Sequence, residues 1–342
     1  FQPDLVLAFL QPLAGAGVTL GRRDLLGLGL AAGAATVAGP LRASSPGQPA
    51  DVSRIDLWPN GAPEAVLAGL AVKLTERSAD PAIRDRSLTG VIQPWLDHFR
   101  PSRPNGAAII AIPGGGYRHM AWDKEALDVA AWFAARGVAG FALAYRLPHD
   151  GWERGLDTPL ADAQRAVRLV RSRAREWGID PARIAVIGFS AGGHLTANLA
   201  ARHDQTVYPV QDAVDRVSAR PDLAAPIYPA VLLEQLAATV PAGQSLFGAA
   251  TGADDLVRHS PHLHARADAP PHYLVHAEDD PLVGPEHALA LRSALRAKGV
   301  MVETHLHARG GHGFGLRHLA GTSLVDWPAR LLDFGRMTGW IS

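Results

Sequence analysis

From about Asn105 onward the apolar residues of this chain fall into two alternating rhythms. Short unbroken apolar runs such as Ala107 to Ile112 read as strands covered on both faces, since a strand with one wet face would alternate at period two. Between them lie longer segments with apolar residues every three or four positions, the pattern of a helix with one buried face. Asp123 to Arg136 puts Ala126, Val129, Ala130 and Phe133 on one face, and Gly137 closes it. Thr158-Pro159 opens a helix through Trp177, with Leu160, Ala163, Val167, Val170 and Ala174 inward, Arg168, Arg171 and Arg175 outward, and Gly178 as its stop. Val138 to Tyr145, Asp222 to Tyr228, Tyr273 to Ala277 and Val300 to His307 read as strands, and Pro285 to Lys298 and Thr322 to Met337 as helices. Pro229 to Pro261 is less regular. The order predicts an α/β fold: a mostly parallel central sheet with helices on both faces.

Asp51 to Arg103 looks different. It is rich in proline, turns at Pro59-Asn60-Gly61, offers one short strand at Lys73 to Glu76, and reads as a loop-rich lead-in. Upstream, Arg22-Arg23 precedes an apolar, glycine-rich run from Leu25 to Ala38 and a polar, proline-rich stretch from Pro40 to Pro49. That arrangement resembles a bacterial twin-arginine export signal. The run is shorter than the roughly 20 residues a bilayer span needs, so no stable membrane anchor is expected. The expected organisation is an export signal and linker over residues 1–50 and one α/β domain over residues 51–342, delivered to the periplasm or the medium.

Composition narrows the chemistry. With 33 acidic and 33 basic residues the net charge is zero, which leaves no electrostatic footprint for nucleic acid. The chain has no cysteine, which excludes disulfides, thiolate metal sites and a cysteine nucleophile. His259, His262, His264 and His272 cluster, but at no ligand spacing, so neither a metal nor another cofactor is expected.

Four strand ends carry reactive residue types, and an α/β sheet binds its ligands outside the carboxyl ends of its strands. Arg183 to Phe189 runs into Gly188-Phe189-Ser190-Ala191-Gly192 and then a helix beginning near Ala191. A strand-to-helix turn this sharp holds the Ser190 hydroxyl out at the sheet end and aims free N–H groups at whatever it attacks. Pro113-Gly114-Gly115-Gly116-Tyr117 follows an earlier strand, and the N–H groups of Gly115, Gly116 and Ala191 are candidates for an oxyanion hole. Glu278-Asp279-Asp280-Pro281 follows a later strand, and Gly310-Gly311-His312-Gly313-Phe314 the last one. Serine, then acid, then histidine is the chain order of the α/β-hydrolase triad. Tyr117, Trp152 and Phe314 flank the expected mouth, where aromatics could stack on sugar rings. His194, one helical turn beyond Ser190, reads as structural. Residues 203–220 and 231–260 are the only sizeable insertions after the nucleophile, so a small lid or none is expected.

At these residues the chain resembles α/β-hydrolase esterases related to the hormone-sensitive lipase group. Pro113 stands where that group carries the histidine of its His-Gly-Gly-Gly motif. With Gly-Phe-Ser-Ala-Gly-Gly-His, Asp-Asp-Pro-Leu-Val, Gly-Gly-His-Gly-Phe-Gly and the early Leu57-Trp58-Pro59-Asn60-Gly61-Ala62-Pro63, it is more similar to bacterial acetyl-xylan and carbohydrate esterases. The resemblance implies Ser190 as nucleophile, His312 as general base and acid, and Asp280, rather than its neighbour Asp279, as the acid orienting the histidine. It implies a small-molecule, oligosaccharide or polysaccharide ester as substrate. The rival readings are a broad small-acyl carboxylesterase or a peptidase-like hydrolase of the same fold, and a catalytically silent binding module.

Overall fold

The computed structural model describes residues 52–65, 67–239, 252–317 and 319–342, all within the unit Pro46–Ser342. The twin-arginine segment, and with it the export reading of residues 1–50, lies outside the described residues.

The strands are β1 Val52–Asp56, β2 Lys73–Glu76, β3 Arg86–Thr89, β4 Trp95–Phe99, β5 Ala108–Ile112, β6 Met120–Ala121, β7 Ala139–Ala144, β8 Ile184–Phe189, β9 Leu223–Ile227, β10 His272–Ala277 and β11 Val302–His307. The helices are α1 Asp128–Ala134, α2 Asp157–Ser172, α3 Ala191–Arg202, α4 Leu233–Thr239, α5 Ala253–Arg258, α6 Glu286–Ala297 and α7 Trp327–Met337. Eight strands form one sheet in the order β1-β4-β7-β5-β8-β9-β10-β11. From β7 to β11 all neighbours are parallel, while β4 runs antiparallel to both β1 and β7. A second antiparallel sheet, β2-β3-β6, is built from the lead-in and the end of the glycine loop. This is the α/β-hydrolase fold.

The unbroken apolar runs are explained by two cores, one on each face. In β5, Ile110 and Ile112 join the core under α2 and α3, while Ile109 and Ala111 join the core under α1 and α7. Period two is present, but both faces are apolar, so it is hidden in the sequence. The inward positions expected for the 158–177 helix are all buried. Its outward face is roofed: Arg168 donates to the Tyr208 hydroxyl and the Val217 carbonyl, and Arg171 to the Ser218 carbonyl and Asp222.

Two expectations are corrected. The lead-in holds the expected strand Lys73–Glu76 as β2 but also β1, β3 and β4, and Trp95-Leu96-Asp97-His98 of β4 is buried between β1 and β7. The helix expected from Asp123 is two pieces, a wide π-helical turn Asp123–Leu127 followed by α1. Asp123 is held there by a two-pronged ion pair with Arg86 of β3.

Candidate active site

Ser190 sits between the last residue of β8 and the first of α3, and the turn demands an unusual backbone: φ is +53°, a region that costs an L-residue of order 1–3 kcal/mol. Hydrogen bonds over-determine it. The Ser190 N–H donates to the Ile227 carbonyl, and its own carbonyl accepts from His194 and Ala230. The flanking glycines are needed because backbone passes through the space a side chain would take: a Cβ on Gly188 would overlap the Gly192 carbonyl, and one on Gly192 the Ile112 carbonyl.

The three residues expected to act together are in contact. His312 Nε2 lies 2.8 Å from Ser190 Oγ, and His312 Nδ1 lies 2.7 Å from Asp280 Oδ2. An ionised carboxylate only accepts, so Nδ1 carries the ring proton and Nε2 is left as acceptor for the serine hydroxyl. Asp280 is fixed by its own loop: Oδ1 accepts the Leu282 and Val283 N–H groups, both at 2.9 Å. Burial alone would raise the Asp280 carboxyl. Bonds from His276, His312 and the Val283 N–H outweigh that and hold it below the ordinary carboxylate range. Asp279, the alternative acid, turns elsewhere and accepts from the Gly310 and Gly311 N–H groups at 2.8 and 2.7 Å. It shapes the histidine loop and does not touch the histidine ring.

The glycine loop lies against Ser190, for a Cβ on Gly114 would come within 2.9 Å of Ser190 Cβ. Its start is pinned by the Tyr145 hydroxyl on the Pro113 carbonyl at 2.8 Å and by the Ala121 N–H on the Gly114 carbonyl at 2.8 Å. Gly115 and Gly116 take φ of +129° and +61°, and their N–H groups have no acceptor among the described residues. The Ala191 N–H is the first of α3, where no intrahelical acceptor exists. Gly115 and Gly116 directly follow Gly114, which lies against Ser190, and Ala191 directly follows Ser190.

The aromatic rim is corrected. Tyr117, Trp152 and Phe314 are each no more than 2% exposed. Tyr117, at φ +58°, turns its hydroxyl inward to His194 Nδ1 at 2.7 Å, and His194 Nε2 donates to the His259 carbonyl. Trp152 packs beneath the Arg146 guanidinium, and Phe314 meets Tyr228 edge-on with ring centroids 4.5 Å apart. Tyr117 and Phe314 belong to the two apolar cores, and Trp152 is buried against a cation. His194 thus ties the glycine loop to α3, and its burial lowers the imidazole pKa to about 4, keeping the ring neutral.

The clustered histidines are engaged separately. His259 contacts the Arg202 guanidinium, His264 the Val257 carbonyl and His272 the Pro270 carbonyl. Among the described residues no group of three or more histidines and carboxylates is arranged to hold a metal ion, and no helix is long and apolar enough to cross a membrane.

Three residues near the site carried no sequence signal that singled them out. Glu125 accepts the Gly114 N–H, Tyr228 closes the end of β9, and His276 reaches Asp280 Oδ2 at 3.4 Å. Tyr228 shared one cue with the others, its place at a strand's carboxyl end. Glu125 had none, because an acid in a helix's first turn ordinarily answers the helix dipole.

Residues 96–295 match the BD-FAE family. An acetylxylan esterase of Xylanibacter ruminicola is 29% identical over 221 residues, which cover 64% of this chain and 43% of that protein. Endo-1,4-beta-xylanase B of Butyrivibrio fibrisolvens is 30% identical over 205 residues, 60% of this chain and 32% of that protein. The chain spans less than half the length of either curated relative. Among solved structures, an acetyl ester-xyloside bifunctional hydrolase from Caldicellulosiruptor lactoaceticus superposes with a TM-score of 0.69 at 31% identity, covering 86% of this chain and all (100%) of that one.

Proposed function

The chain belongs to the BD-FAE family of α/β-hydrolase esterases, and on that footing we propose that it is a serine carboxylic-ester hydrolase that removes acetyl groups from plant-cell-wall carbohydrate. The observation that carries the reading is the continuous hydrogen-bonded line from Ser190 Oγ through His312 to Asp280. In this reading Ser190 Oγ attacks the ester carbonyl carbon while His312 Nε2 takes its proton, and Asp280 steadies the imidazolium that forms. The oxyanion faces the N–H groups of Gly115, Gly116 and Ala191. The intermediate collapses by expelling the sugar alcohol, which leaves with the proton from Nε2, and acetyl stays on Ser190. Water then gives a proton to Nε2, attacks the acetyl carbonyl, and releases acetate as the proton returns to Ser190.

The carbohydrate half of the proposal is supported by what the acetylxylan esterase and the acetyl ester-xyloside hydrolase are named for. A broad small-acyl esterase is the second reading, favoured by the burial of Tyr117, Trp152 and Phe314, which removes three aromatic platforms for a sugar ring. The test compares acetate release from acetylated xylan with p-nitrophenol release from acetyl and octanoyl esters, for the parent protein and Ser190→Ala. Xylan deacetylation that vanishes in the variant supports the first reading; activity confined to the synthetic esters supports the second. No hydrolysis by the parent would sink both and favour a silent binding module.

We further propose that the segment around Arg22-Arg23 directs export. Unchanged export of a double Arg22→Lys, Arg23→Lys variant would count against it.

A further inference from the structure

The π-helical turn Asp123–Leu127 lies between the glycine loop and the histidine loop, and consecutive side chains on it reach both. Lys124 Nζ donates to the Gly313 carbonyl at 3.1 Å, one residue past His312. Glu125, buried, spans further: Oε2 accepts the Gly114 N–H at 2.8 Å, and Oε1 accepts the Tyr228 hydroxyl at 3.0 Å. The Tyr228 oxygen in turn accepts the Gly315 N–H at 3.1 Å, and its ring lies 5.0 Å from the His312 ring. Tyr228, at φ +37°, follows the Ile227 carbonyl that holds the Ser190 N–H. Wide turns of this kind recur at functional sites.

Each link of this Gly114–Glu125–Tyr228–Gly315 relay joins one donor to one acceptor: Glu125 accepts at both oxygens, and the Tyr228 hydroxyl donates to it while accepting from Gly315. Burial first, then the Glu125 charge, push the Tyr228 hydroxyl well above the ordinary phenol, so it remains a donor. With the Gly114 N–H taken by Glu125, the next N–H groups of the loop, Gly115 and Gly116, are the ones left for a substrate oxygen.

We propose that Glu125 and Tyr228 are positioning residues that set the spacing between the oxyanion donors and His312, so that both meet one reacting carbonyl. The inference rests on the serine-hydrolase reading above. Neither side chain touches Ser190, and they act through the loops they hold. Their contribution therefore falls on the transition state, where misplacement is costly, and little on substrate capture.

The test uses p-nitrophenyl acetate with the full chain, comparing the parent, Ser190→Ala, Glu125→Gln, Tyr228→Phe and the double variant, with Tm for each. An amide at 125 puts an N–H₂ against one of two groups that need an acceptor, and Phe at 228 deletes one hydroxyl while keeping the ring. Each single change is expected to lower kcat about ten- to a hundredfold with KM moving less than about threefold. The double variant should fall no more than about threefold below the worse single, because both break one chain. A kcat within threefold of the parent in a folded variant, a rise in KM at constant kcat, or losses that multiply in the double would each overturn the inference. If Glu125→Gln does not fold, Tyr228→Phe decides on the same kcat criterion. A parent without esterase activity, or one whose activity survives Ser190→Ala, takes down the functional reading and this inference with it. An active, Ser190-dependent parent with unaffected variants takes down this inference alone.

Discussion

Asp280→Asn separates orientation from mere proximity in the triad. The two oxygens of Asp280 are not equivalent: Oδ1 holds the Leu282 and Val283 N–H groups at 2.9 Å, and Oδ2 faces His312 Nδ1 at 2.7 Å. An asparagine must keep its oxygen at the first position, since two backbone donors require an acceptor there, and its N–H₂ then faces His312. Two donors cannot meet, so the His312 ring proton moves to Nε2, which can no longer take a proton from Ser190. The loss expected from the wrong tautomer is a factor of about 10³–10⁴ in kcat. At about 1.36 kcal/mol per decade that is roughly 4–5.5 kcal/mol of barrier, with KM little changed. Asp279→Asn is the internal control, because its single engaged oxygen, Oδ1, accepts both the Gly310 and Gly311 N–H groups and an asparagine retains it. Loss there should stay within roughly a factor of five, the scale of weakening a charged hydrogen bond to a neutral one. The assay is steady-state hydrolysis of p-nitrophenyl acetate at neutral pH with protein shown to be folded by its melting curve. Asp280→Asn retaining activity within tenfold of the parent, or Asp279→Asn falling further than Asp280→Asn, would refute the assignment.

Other outcomes follow from the same geometry. His194 and His272 are buried neutral, their pKa lowered to about 4 chiefly by burial. Below pH ~6.5 the unfolded chain binds protons the folded chain refuses, so stability present above that pH is lost as pH falls towards 4; the ceiling is about 3 kcal/mol for each ring. Urea melts at pH 7.5, 6 and 5 check this, and a flat unfolding free energy would contradict it. Gly115→Ala should cut kcat about a hundredfold or more, because at φ +129° a Cβ would overlap the His119 carbonyl and shift the loop; esterase activity near the parent's would show the donors lie elsewhere. Arg146 is fully buried between Asp162 and Glu64, and Arg146→Ala would strand two buried carboxylates at a cost of about 3–5 kcal/mol. Denaturant unfolding measures that cost, and a loss below about 1 kcal/mol would mean water reaches the pair.

What the sequence disclosed and what it hid divide along physical lines. Residues 105–342 were legible because parallel strands buried on both faces are written as unbroken apolar runs, and because a nucleophile turn needs glycines at fixed places. Of the lead-in only β2 was; β1, β3 and β4 were not. Trp95-Leu96-Asp97-His98-Phe99 mixes polar residues into a buried strand, and only tertiary pairing pays for them: Asp97 meets Arg54, and His98 stacks on Phe141. The meeting of Ser190, His312 and Asp280 could be expected from strand ends and chain order. The bridge from Gly114 through Glu125 and Tyr228 to Gly315 could not, because it joins residues more than a hundred positions apart through a local departure from helical geometry. The aromatic rim failed for a related reason. Proximity in sequence to a loop says nothing of which way a ring turns, and burial of apolar area favoured the inward direction.

Among the described residues, the non-glycine positions with left-handed backbone are Tyr117, Ser190 and Tyr228, at φ of 58°, 53° and 37°. All three stand on the loops that ring the serine. At roughly 1–3 kcal/mol apiece they draw on a reserve that in a whole domain is only about 5–15 kcal/mol. Selection on such a chain is therefore indirect. Mutations in β1, at the edge of the sheet, reach the site by eroding the margin that keeps three strained residues in place. Drift towards a tolerant, relaxed backbone and retention of the reaction pull in opposite directions, so descendants that lose the chemistry are free to become sturdier than their ancestor.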